Sequence, residues 1–209
     1  MNSTGPADGT NRWNPPTAVL RDWKVDDAPR LLDLVSASSD LWNQFGNQQL
    51  STVGECERFI RSTYSPGQEV QRHFAIELNG QLIGNIGLAH IDHTHETAWV
   101  SYWVGTGARG HQLAARGLLA ACDWAFRNAD LFRLELGHRV NNAASCVVAE
   151  RAGFVTEGIE RAKLKYGNER FDVELHARLA TDPEPKHQGL VPLEIADNLS
   201  GREQNRSDS

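Results

Sequence analysis

Residues 104–116 read VGTGARGHQLAAR, and this stretch decides the fold. A strand-like run, TAWVSYWV at residues 97–104, ends in three glycines placed around Arg109, and an alanine-rich segment with helical spacing follows at once. The first N–H groups of a helix have no partner within the helix, and the positive end of the helix dipole lies there, so this position attracts phosphate. Glycines let the backbone curl around an anion, and Arg109 adds charge-assisted donors. The stretch therefore predicts a pyrophosphate cradle, with an ordinary strand-to-helix turn as the alternative.

The segments before this loop predict a strand, two helices and a meander of antiparallel strands. Thr52 and Glu55 have the spacing of a helix capping box. Asn79-Gly80 is a strong signal for a two-residue turn between HFAIEL and QLIGNIGLAHID, and TAWVSYWV adds a third strand to that hairpin. Apolar and polar residues alternate at 18–23, which predicts the strand. Apolar residues recur at helical spacing at 26–35 and 51–64, which predicts the two helices.

The segments after the loop alternate between helix and strand. Asn142 is suited to an N-cap and Gly153 to the residue after a helix end. The helical segments are 111–128 and 142–153, and the strands are 132–140, 154–162 and 170–179. This order predicts an α/β (α+β) fold, with a mixed central sheet of about seven strands flanked by about four helices.

The chain of 209 residues, with 40% apolar content, is long enough for one domain with a core of its own. The polar N-terminus lacks the apolar segment of a signal peptide, and we expect a disordered extension at 1–16. The folded domain is predicted at 17–182 and a mostly disordered tail at 183–209. Within the tail, LVPLEI could dock as a short strand, but the interpretation as a loose segment is favoured.

Charge and cysteine content exclude several classes of protein. The formal net charge of −6 argues against nucleic acid as a partner, because a phosphate-tracking surface needs a basic excess. No apolar run is long enough to span a bilayer, so no membrane partner is expected. Three cysteines without a CxxC pair are typical of reduced thiols rather than a disulfide framework, which predicts a cytoplasmic protein.

Two stretches resemble the GNAT superfamily of acyl-CoA-dependent N-acetyltransferases. RGHQLA, residues 109–114, is similar to the signature [Q/R]-x-x-G-x-[G/A]. The branch that acetylates ribosomal-protein N-termini, the RimJ/RimL type, resembles this chain in two longer stretches, YWVGTGARGHQLAARGL and NNAASCVVAERAGFVTEG. The closing strand of that branch is similar to RFDVELHARL. The resemblance covers roughly residues 18–179 and implies acetyl-CoA as the cosubstrate.

The resemblance also implies which residues contact acetyl-CoA. Gln112 departs from the signature, because it stands where the family has its central glycine. It keeps the backbone N–H donor but adds bulk, so we expect weaker binding of CoA rather than its loss. The implied contacts are Val104, Arg109, Gly110, His111, Gln112, Leu113, Ala114 and Asn142.

Acetyl transfer needs a proton for the departing thiolate, and the helix at 142–153 carries the candidate acid. Much of the superfamily uses a tyrosine one turn before the GF pair, but this chain has Ala149 there. Ser145 lies four residues earlier on the same helical face. The resemblance implies Ser145 as the catalytic acid, with Asn142 orienting CoA or the helix start. The alternative is that Asn142 only caps the helix and that Ser145 only completes its first turn.

A general base is not assigned. The branch often has a glutamate on the third meander strand or on the strand after GF, and the matching residues here are Trp99 and Leu164. HIDHTHET, residues 90–97, offers histidines and carboxylates, but a turn of this kind is more often solvated than catalytic. Its two histidines on one strand face lack a third spaced ligand, so no metal site is predicted.

The acceptor groove is predicted around Trp42, Tyr102 and Trp103, of which the last two point in opposite directions along a strand. The first interpretation is acetylation of the α-amine of a protein or peptide N-terminus. A small-molecule acceptor (an amino acid, an aminoacyl nucleotide or an antibiotic) and a catalytically weak CoA-binding sensor stay open as alternatives. Relatives of this kind are often dimers, so a homodimer is compatible with the resemblance.

Overall fold

The computed structural model describes residues 17–38, 40–46, 48–185 and 189–196. The predicted N-terminal extension and part of the predicted C-terminal tail lie outside the described residues. The described residues form one eight-stranded sheet and four α-helices, so the predicted fold class, a mixed α/β sheet flanked by helices, is confirmed. None of the described helices has the length and hydropathy that a membrane span requires.

The elements follow the predicted order along the chain. The helices are α1 (Ala28–Ala37), α2 (Val53–Phe59), α3 (Leu113–Asn128) and α4 (Ala143–Arg151). The strands are β1 (Ala18–Arg21), β2 (Gln71–Leu78), β3 (Gln81–Asp92), β4 (Thr97–Val104), β5 (Arg133–Arg139), β6 (Val155–Tyr166), β7 (Glu169–Leu179) and β8 (Glu194–Ile195).

The strands lie in the order β6-β7-β5-β4-β3-β2-β1-β8. The pairs β4–β5 and β1–β8 are parallel, and the other neighbours are antiparallel. α3 connects the parallel strands β4 and β5, because a parallel pair needs a crossover rather than a tight turn. This crossover places the glycine loop and the start of α4 at the same edge of the sheet.

The two faces of the sheet carry separate apolar clusters. α3 and α4 pack on one face, in a cluster that includes Phe74 and Ile76 of β2. α1 and α2 pack on the other face, in a cluster that includes Ala75, the residue between those two. On β4, Tyr102 packs against the first cluster and Trp103 belongs to the second, as alternation along a strand requires.

Local sequence signals account for the ends of several elements. The Thr52 hydroxyl accepts from the Glu55 N–H at 3.2 Å while the Glu55 carboxylate accepts from the Thr52 N–H at 3.1 Å, which is the predicted capping box. Asn79 and Gly80 have φ of 50° and 79°, the left-handed conformation that a two-residue hairpin turn needs. Gly153 follows α4 with φ of 83°.

The tail contributes a strand, which is the less favoured of the two interpretations of LVPLEI. Glu194 and Ile195 pair with Val19 and Leu20, and Leu193 is only 3% exposed within the α3-side cluster. Burial of that leucine side chain, together with two backbone pairs, offsets the entropy lost when the segment is ordered. The edge of β1 is thereby covered.

Candidate active site

β4 and β5 are parallel neighbours that separate after three residue pairs. Thr97, Ala98 and Trp99 pair with residues 133–135, and no later pair joins the two strands among the described residues, although both continue. Because the peptide groups of a strand point alternately to its two sides, alternate N–H and C=O groups of residues 100–104 face a gap. The gap opens toward the loop after β4 and the start of α4.

The loop between β4 and α3 is rich in unpaired backbone donors. The N–H groups of residues 110–115 have no acceptor among the described residues, and the Arg116 N–H is the first in α3 to pair, with the Gln112 carbonyl at 3.0 Å. Gly110 and Gln112 have φ of 82° and 60°, which turns the chain sharply before the helix. Six consecutive donors at the positive end of a 16-residue helix fit a pyrophosphate group.

Arg109 fixes the shape of this loop. Its Nε donates to the Val104 carbonyl at 2.9 Å, and its Nη2 lies 2.8 Å from the Asp40 carboxylate. Both side chains are about half exposed, at 43% and 59%, so this ion pair is screened by solvent. Arg109 therefore ties the end of β4 to the segment after α1 and still offers donors to an anion.

The first turn of α4 faces the same gap from the β5 side. The Asn142 side chain accepts from the Ser145 N–H at 3.2 Å, so the predicted N-cap is confirmed. The Tyr102 hydroxyl donates to the Ser145 carbonyl at 2.9 Å, a contact that links β4 to α4. None of the described residues hydrogen-bonds the half-buried Ser145 hydroxyl. A free hydroxyl at the positive end of a helix is suited to donating a proton to an anion in the gap.

The comparison with known families agrees with this geometry. The model of the family described as "Acetyltransferase (GNAT) domain" matches residues 18–155, which is more than half of the chain.

The chain belongs to the GNAT acetyltransferase family.

Curated relatives of this GNAT chain are named as acetyltransferases. "Probable N-acetyltransferase YjcK" of Bacillus subtilis (strain 168) is 28% identical over 175 residues, covering 80% of this chain and 97% of that protein. "Ribosomal-protein-serine acetyltransferase" of Escherichia coli (strain K12) is 31% identical over 107 residues, 51% of this chain and 59% of that protein. "Spermidine N(1)-acetyltransferase" of the same strain is 28% identical over 88 residues, 42% of this chain and 47% of that protein.

Solved GNAT structures share the fold. RimL, a ribosomal alpha-N-protein acetyltransferase in complex with coenzyme A, has a TM-score of 0.71 and 22% identity, over 78% of this chain and 94% of that chain. Mycobacterium smegmatis RimJ in complex with CoA-disulfide has a TM-score of 0.67 and 22% identity, over 80% and 86%. These comparisons confirm the predicted family and the enzyme class, acyl-CoA-dependent N-acetyltransferase, with acetyl-CoA as the family's cosubstrate.

The aromatic residues predicted for the acceptor groove lie in three different environments. Trp42 is 39% exposed, Tyr102 is half-buried at the gap, and Trp103 is 6% exposed in the core. The Trp103 Nε1–H donates to the Tyr64 hydroxyl at 3.3 Å, which satisfies its polar group within the protein. The structure thus brings Tyr102 to the gap and leaves the Trp42 ring accessible, whereas Trp103 packs between sheet and helices.

The segment that carries Trp42 is attached to the glycine loop. The Ser38 hydroxyl lies 2.8 Å from the Thr106 hydroxyl and accepts from the Thr106 N–H at 3.3 Å. A cavity of about 430 Å³ lies beside the same loop, between α1 and the β2–β3 turn, and its lining includes Arg30, Gln81 and Gly107. None of its lining residues comes from β5 or α4, so this cavity is separate from the gap.

The turn HIDHTHET does not reach the gap. The Asp92 carboxylate accepts from the His95 and Thr94 N–H groups, at 3.1 and 2.8 Å, and these two bonds hold the pKa of that exposed carboxyl below its usual value. Asp92 therefore caps the turn. Glu157 pairs with Arg133, which lowers the pKa of its carboxyl and gives that carboxylate a structural partner. No general base is identified among these residues.

One group of side chains next to the site was missed by the sequence analysis. Four side chains come together below α4: His138, Cys146, Glu174 and His176. In the sequence, the only local indication was the i, i+2 spacing of Glu174 and His176, which places both on one face of β7. Cys146 is half-buried beside Glu150 and Glu174, and burial and these carboxylates raise the pKa of its thiol. Burial and the neighbouring His138 lower the pKa of His176.

Proposed function

We propose that this protein transfers the acetyl group of acetyl-CoA to the α-amine of a protein or peptide N-terminus, with Ser145 as the acid for the departing thiolate. The observation that carries the proposal is the gap between β4 and β5. It is bordered on one side by the N–H groups of residues 110–115, which have no acceptor in the described part of the chain, and on the other by the Ser145 hydroxyl. Phosphate-binding donors and a proton donor at one gap are what the transfer requires.

Each border of the gap has a separate task. The N–H groups of residues 110–115 bind the pyrophosphate, and Arg109 holds their loop in shape. Peptide N–H groups of residues 100–104 that face the gap stabilise the developing oxyanion. Acetyl-CoA supplies the activated acetyl group as a thioester. The α-amine attacks the thioester carbonyl carbon, the C–N bond forms and the C–S bond breaks. Ser145 Oγ donates its proton to the departing thiolate sulfur and is reprotonated, through solvent, by the proton that the amine loses. The positive end of α4 stabilises the negative charge that develops on the sulfur.

An α-amine acceptor fits a site without an assigned base. The pKa of an α-amino group is about 7.7–8.0 and that of a lysine side chain about 10.4, so near neutral pH a far larger fraction of α-amines is already unprotonated. The E. coli relative named as a ribosomal-protein-serine acetyltransferase supports an acceptor of this class. Trp42, exposed on the segment tied to the loop, and Tyr102 at the gap are the proposed acceptor contacts.

A compact amine is the second candidate acceptor. The formal net charge of −6 favours approach of a cation, and one relative is named as a spermidine acetyltransferase. A catalytically weak CoA sensor is the third candidate, supported by the absence of the family's glutamates at Trp99 and Leu164.

The experiment that separates these candidates is acetyl-CoA-dependent release of free CoA thiol, with mass mapping of the acetyl group. Acceptors are N-terminal peptides beginning with Ser, Ala or Met, the same peptides with a blocked α-amine, free amino acids, and spermidine. We expect turnover on the free peptides and none on the blocked ones. Turnover on spermidine or amino acids alone would reject the peptide acceptor. Binding of acetyl-CoA without turnover on any acceptor would favour the sensor.

A further inference from the structure

Four side chains that commonly bind metals converge below the first turn of α4, and none of them belongs to the residues proposed for acetyl transfer. His138 lies on β5, Cys146 on α4, and Glu174 and His176 on β7; we call them the His-Cys-Glu-His cluster. Their ligand atoms all lie within 4.8 Å of one another. We propose that this cluster binds one divalent cation, with zinc as the best match, and that the cation holds α4 against β5 and β7.

The distances fit a tetrahedral site. Zinc bonds of about 2.0–2.3 Å to nitrogen, oxygen and sulfur place neighbouring ligand atoms ~3.3–3.6 Å apart in a tetrahedron. His176 Nε2 lies 2.9 Å from His138 Nε2 and 2.8 Å from Glu174 Oε1. Glu174 Oε1 lies 3.8 Å from His138 Nε2 and 3.7 Å from Cys146 Sγ. Shifts of well under 1 Å bring these four separations to the tetrahedral values. The other two, from Cys146 Sγ to the imidazole nitrogens, are at most 4.8 Å and would have to shorten by up to about 1.2 Å.

The second nitrogen of each imidazole has an oxygen partner. His138 Nδ1 lies 3.1 Å from the Arg139 carbonyl, and His176 Nδ1 lies 3.4 Å from the Thr156 hydroxyl. A carbonyl can only accept, so the proton of neutral His138 belongs on Nδ1 and its Nε2 presents a lone pair to the cluster. Metal-binding histidines in proteins are oriented by such a bond from the other ring nitrogen.

Hydrogen bonds alone satisfy this cluster poorly. The Nε2 atom of His176 carries at most one proton, yet it faces both the His138 Nε2 lone pair and the Glu174 carboxylate. The two histidines are 7% and 1% exposed, so water does not compensate for the missing donor. One cation at the centre would be bound by both nitrogens, the carboxylate and the thiolate, and would balance the two negative charges.

The donor set and its surroundings favour a structural zinc. Cysteine, histidine and carboxylate together are ligands that zinc accepts, and four protein ligands leave no open position for catalysis. Glu174 and Cys146 are half-buried, which leaves a path by which the ion can enter. The cation would link three elements through four residues, and one of these is next to Ser145.

The test is zinc binding by the tag-free full chain, stripped with a chelator and titrated with zinc chloride against a chromophoric competitor. We expect one zinc per chain, and a dissociation constant raised at least ~100-fold by Cys146→Ser, since a thiolate ligand is lost. Glu174→Gln is a second variant that keeps the side-chain shape, and we expect it to weaken binding too. His93→Ala is the matched control, because it removes an exposed histidine from the turn after β3, and it should bind zinc as the wild type does.

Cobalt(II) gives an independent readout of the ligands. In the stripped wild type we expect the visible absorption of tetrahedral cobalt and a thiolate-to-cobalt band in the near ultraviolet, and the latter should vanish in Cys146→Ser. Less than stoichiometric zinc in the folded wild type would overturn the proposal. Equal zinc affinity in the wild type and both ligand variants would overturn it as well. Neither measurement involves acetyl transfer, so the result is independent of the proposed function.

Discussion

Gln112 shows how one residue shapes the phosphate-binding loop. Its φ of 60° and ψ of 10° lie in the left-handed region, where a side chain is strained by about 1–2 kcal/mol and glycine is not. The family's signature has glycine at this place, and the backbone conformation gives the physical reason. The sequence indicated that Gln112 adds bulk, but it did not indicate the strain.

Replacing Gln112 with glycine should therefore stabilise the loop relative to an alanine replacement. We expect Gln112→Gly to exceed Gln112→Ala in free energy of unfolding by about 1 kcal/mol, because both lose the long side chain but only alanine keeps the strained Cβ. Urea unfolding of the two variants measures the difference. Equal stabilities would mean that the left-handed conformation is not retained in solution.

Ser145 is the residue on which the proposed chemistry depends. We expect Ser145→Ala to lower kcat by about 10²-fold or more while CoA affinity stays close to that of the wild type, because a general acid acts in the transition state. Steady-state kinetics and a CoA titration measure the two effects. Ser51→Ala, at an exposed serine just before α2 and away from the gap, is the matched control. An unchanged kcat in Ser145→Ala would remove this hydroxyl from the mechanism.

At the scale of elements, α4 shows what a short signal can and cannot predict. Residue type alone predicted Asn142 as the N-cap of α4 and Gly153 as the residue after its end. This works because a helix cap depends only on residues next to it in the sequence. The beginning of α3 was predicted at His111 and lies at Leu113, since the left-handed Gln112 cannot be part of the helix. The docking of β8 depends on a partner strand far away in sequence, and local patterns do not report such a partner.

The cap of α4 can be separated from any role of Asn142 toward CoA. Asn142→Ala should lower the free energy of unfolding by about 1 kcal/mol, because the Ser145 N–H loses its side-chain acceptor and keeps only the Asn142 carbonyl at 3.1 Å. Asn142→Asp keeps a side-chain acceptor and should stay close to the wild type. Urea unfolding measures both. Thr52→Ala at the capping box of α2 serves as a reference for a cap far from the gap. A similar loss in the Asp and Ala variants would argue against capping by the side chain.

At the scale of the whole molecule, the gap and the His-Cys-Glu-His cluster both arise from sheet order. The last pair between β4 and β5 joins Trp99 to Glu135, which are 36 positions apart in the sequence (135 − 99). The two strands are neighbours only because α3 crosses over the sheet.

Sequence patterns predicted each strand and helix that borders the gap, but not the place where the two strands part. That place depends on the register between β4 and β5, which only the folded sheet defines. The cluster was missed for the same reason, because its residues come from β5, α4 and β7 and no local spacing joins all four. The resemblance to the GNAT family supplied the candidates at the gap, whereas it implied no role for the four residues of this cluster.

The stability of the whole fold should fall in acid because of a buried histidine. His73 is 9% exposed, and burial lowers its pKa from 6.5 to about 4, an effect that Asn85 opposes and Arg72 reinforces. Between these two values the unfolded chain binds a proton that the folded protein does not, so the free energy of unfolding decreases as the pH falls from about 6.5 to 4, by roughly 3 kcal/mol in total. Above pH 6.5 this histidine should have no effect on the slope.

Urea unfolding of the wild type and of His73→Gln between pH 4.5 and 8 tests this expectation. Steps of roughly half a pH unit resolve the change in unfolding free energy that one proton causes, about 1.4 kcal/mol per pH unit. The variant can be less stable at every pH, since His73 packs 4.5 Å from the Tyr64 ring, so the slope and not the absolute value is the readout. We expect a flatter acid slope in His73→Gln and the wild-type slope in His93→Gln, which removes an exposed histidine instead. Identical slopes in all three proteins would show that the pKa of His73 is the same in the folded and the unfolded chain. The acid sensitivity would then have to come from other groups, such as His176, whose pKa is also lowered by burial.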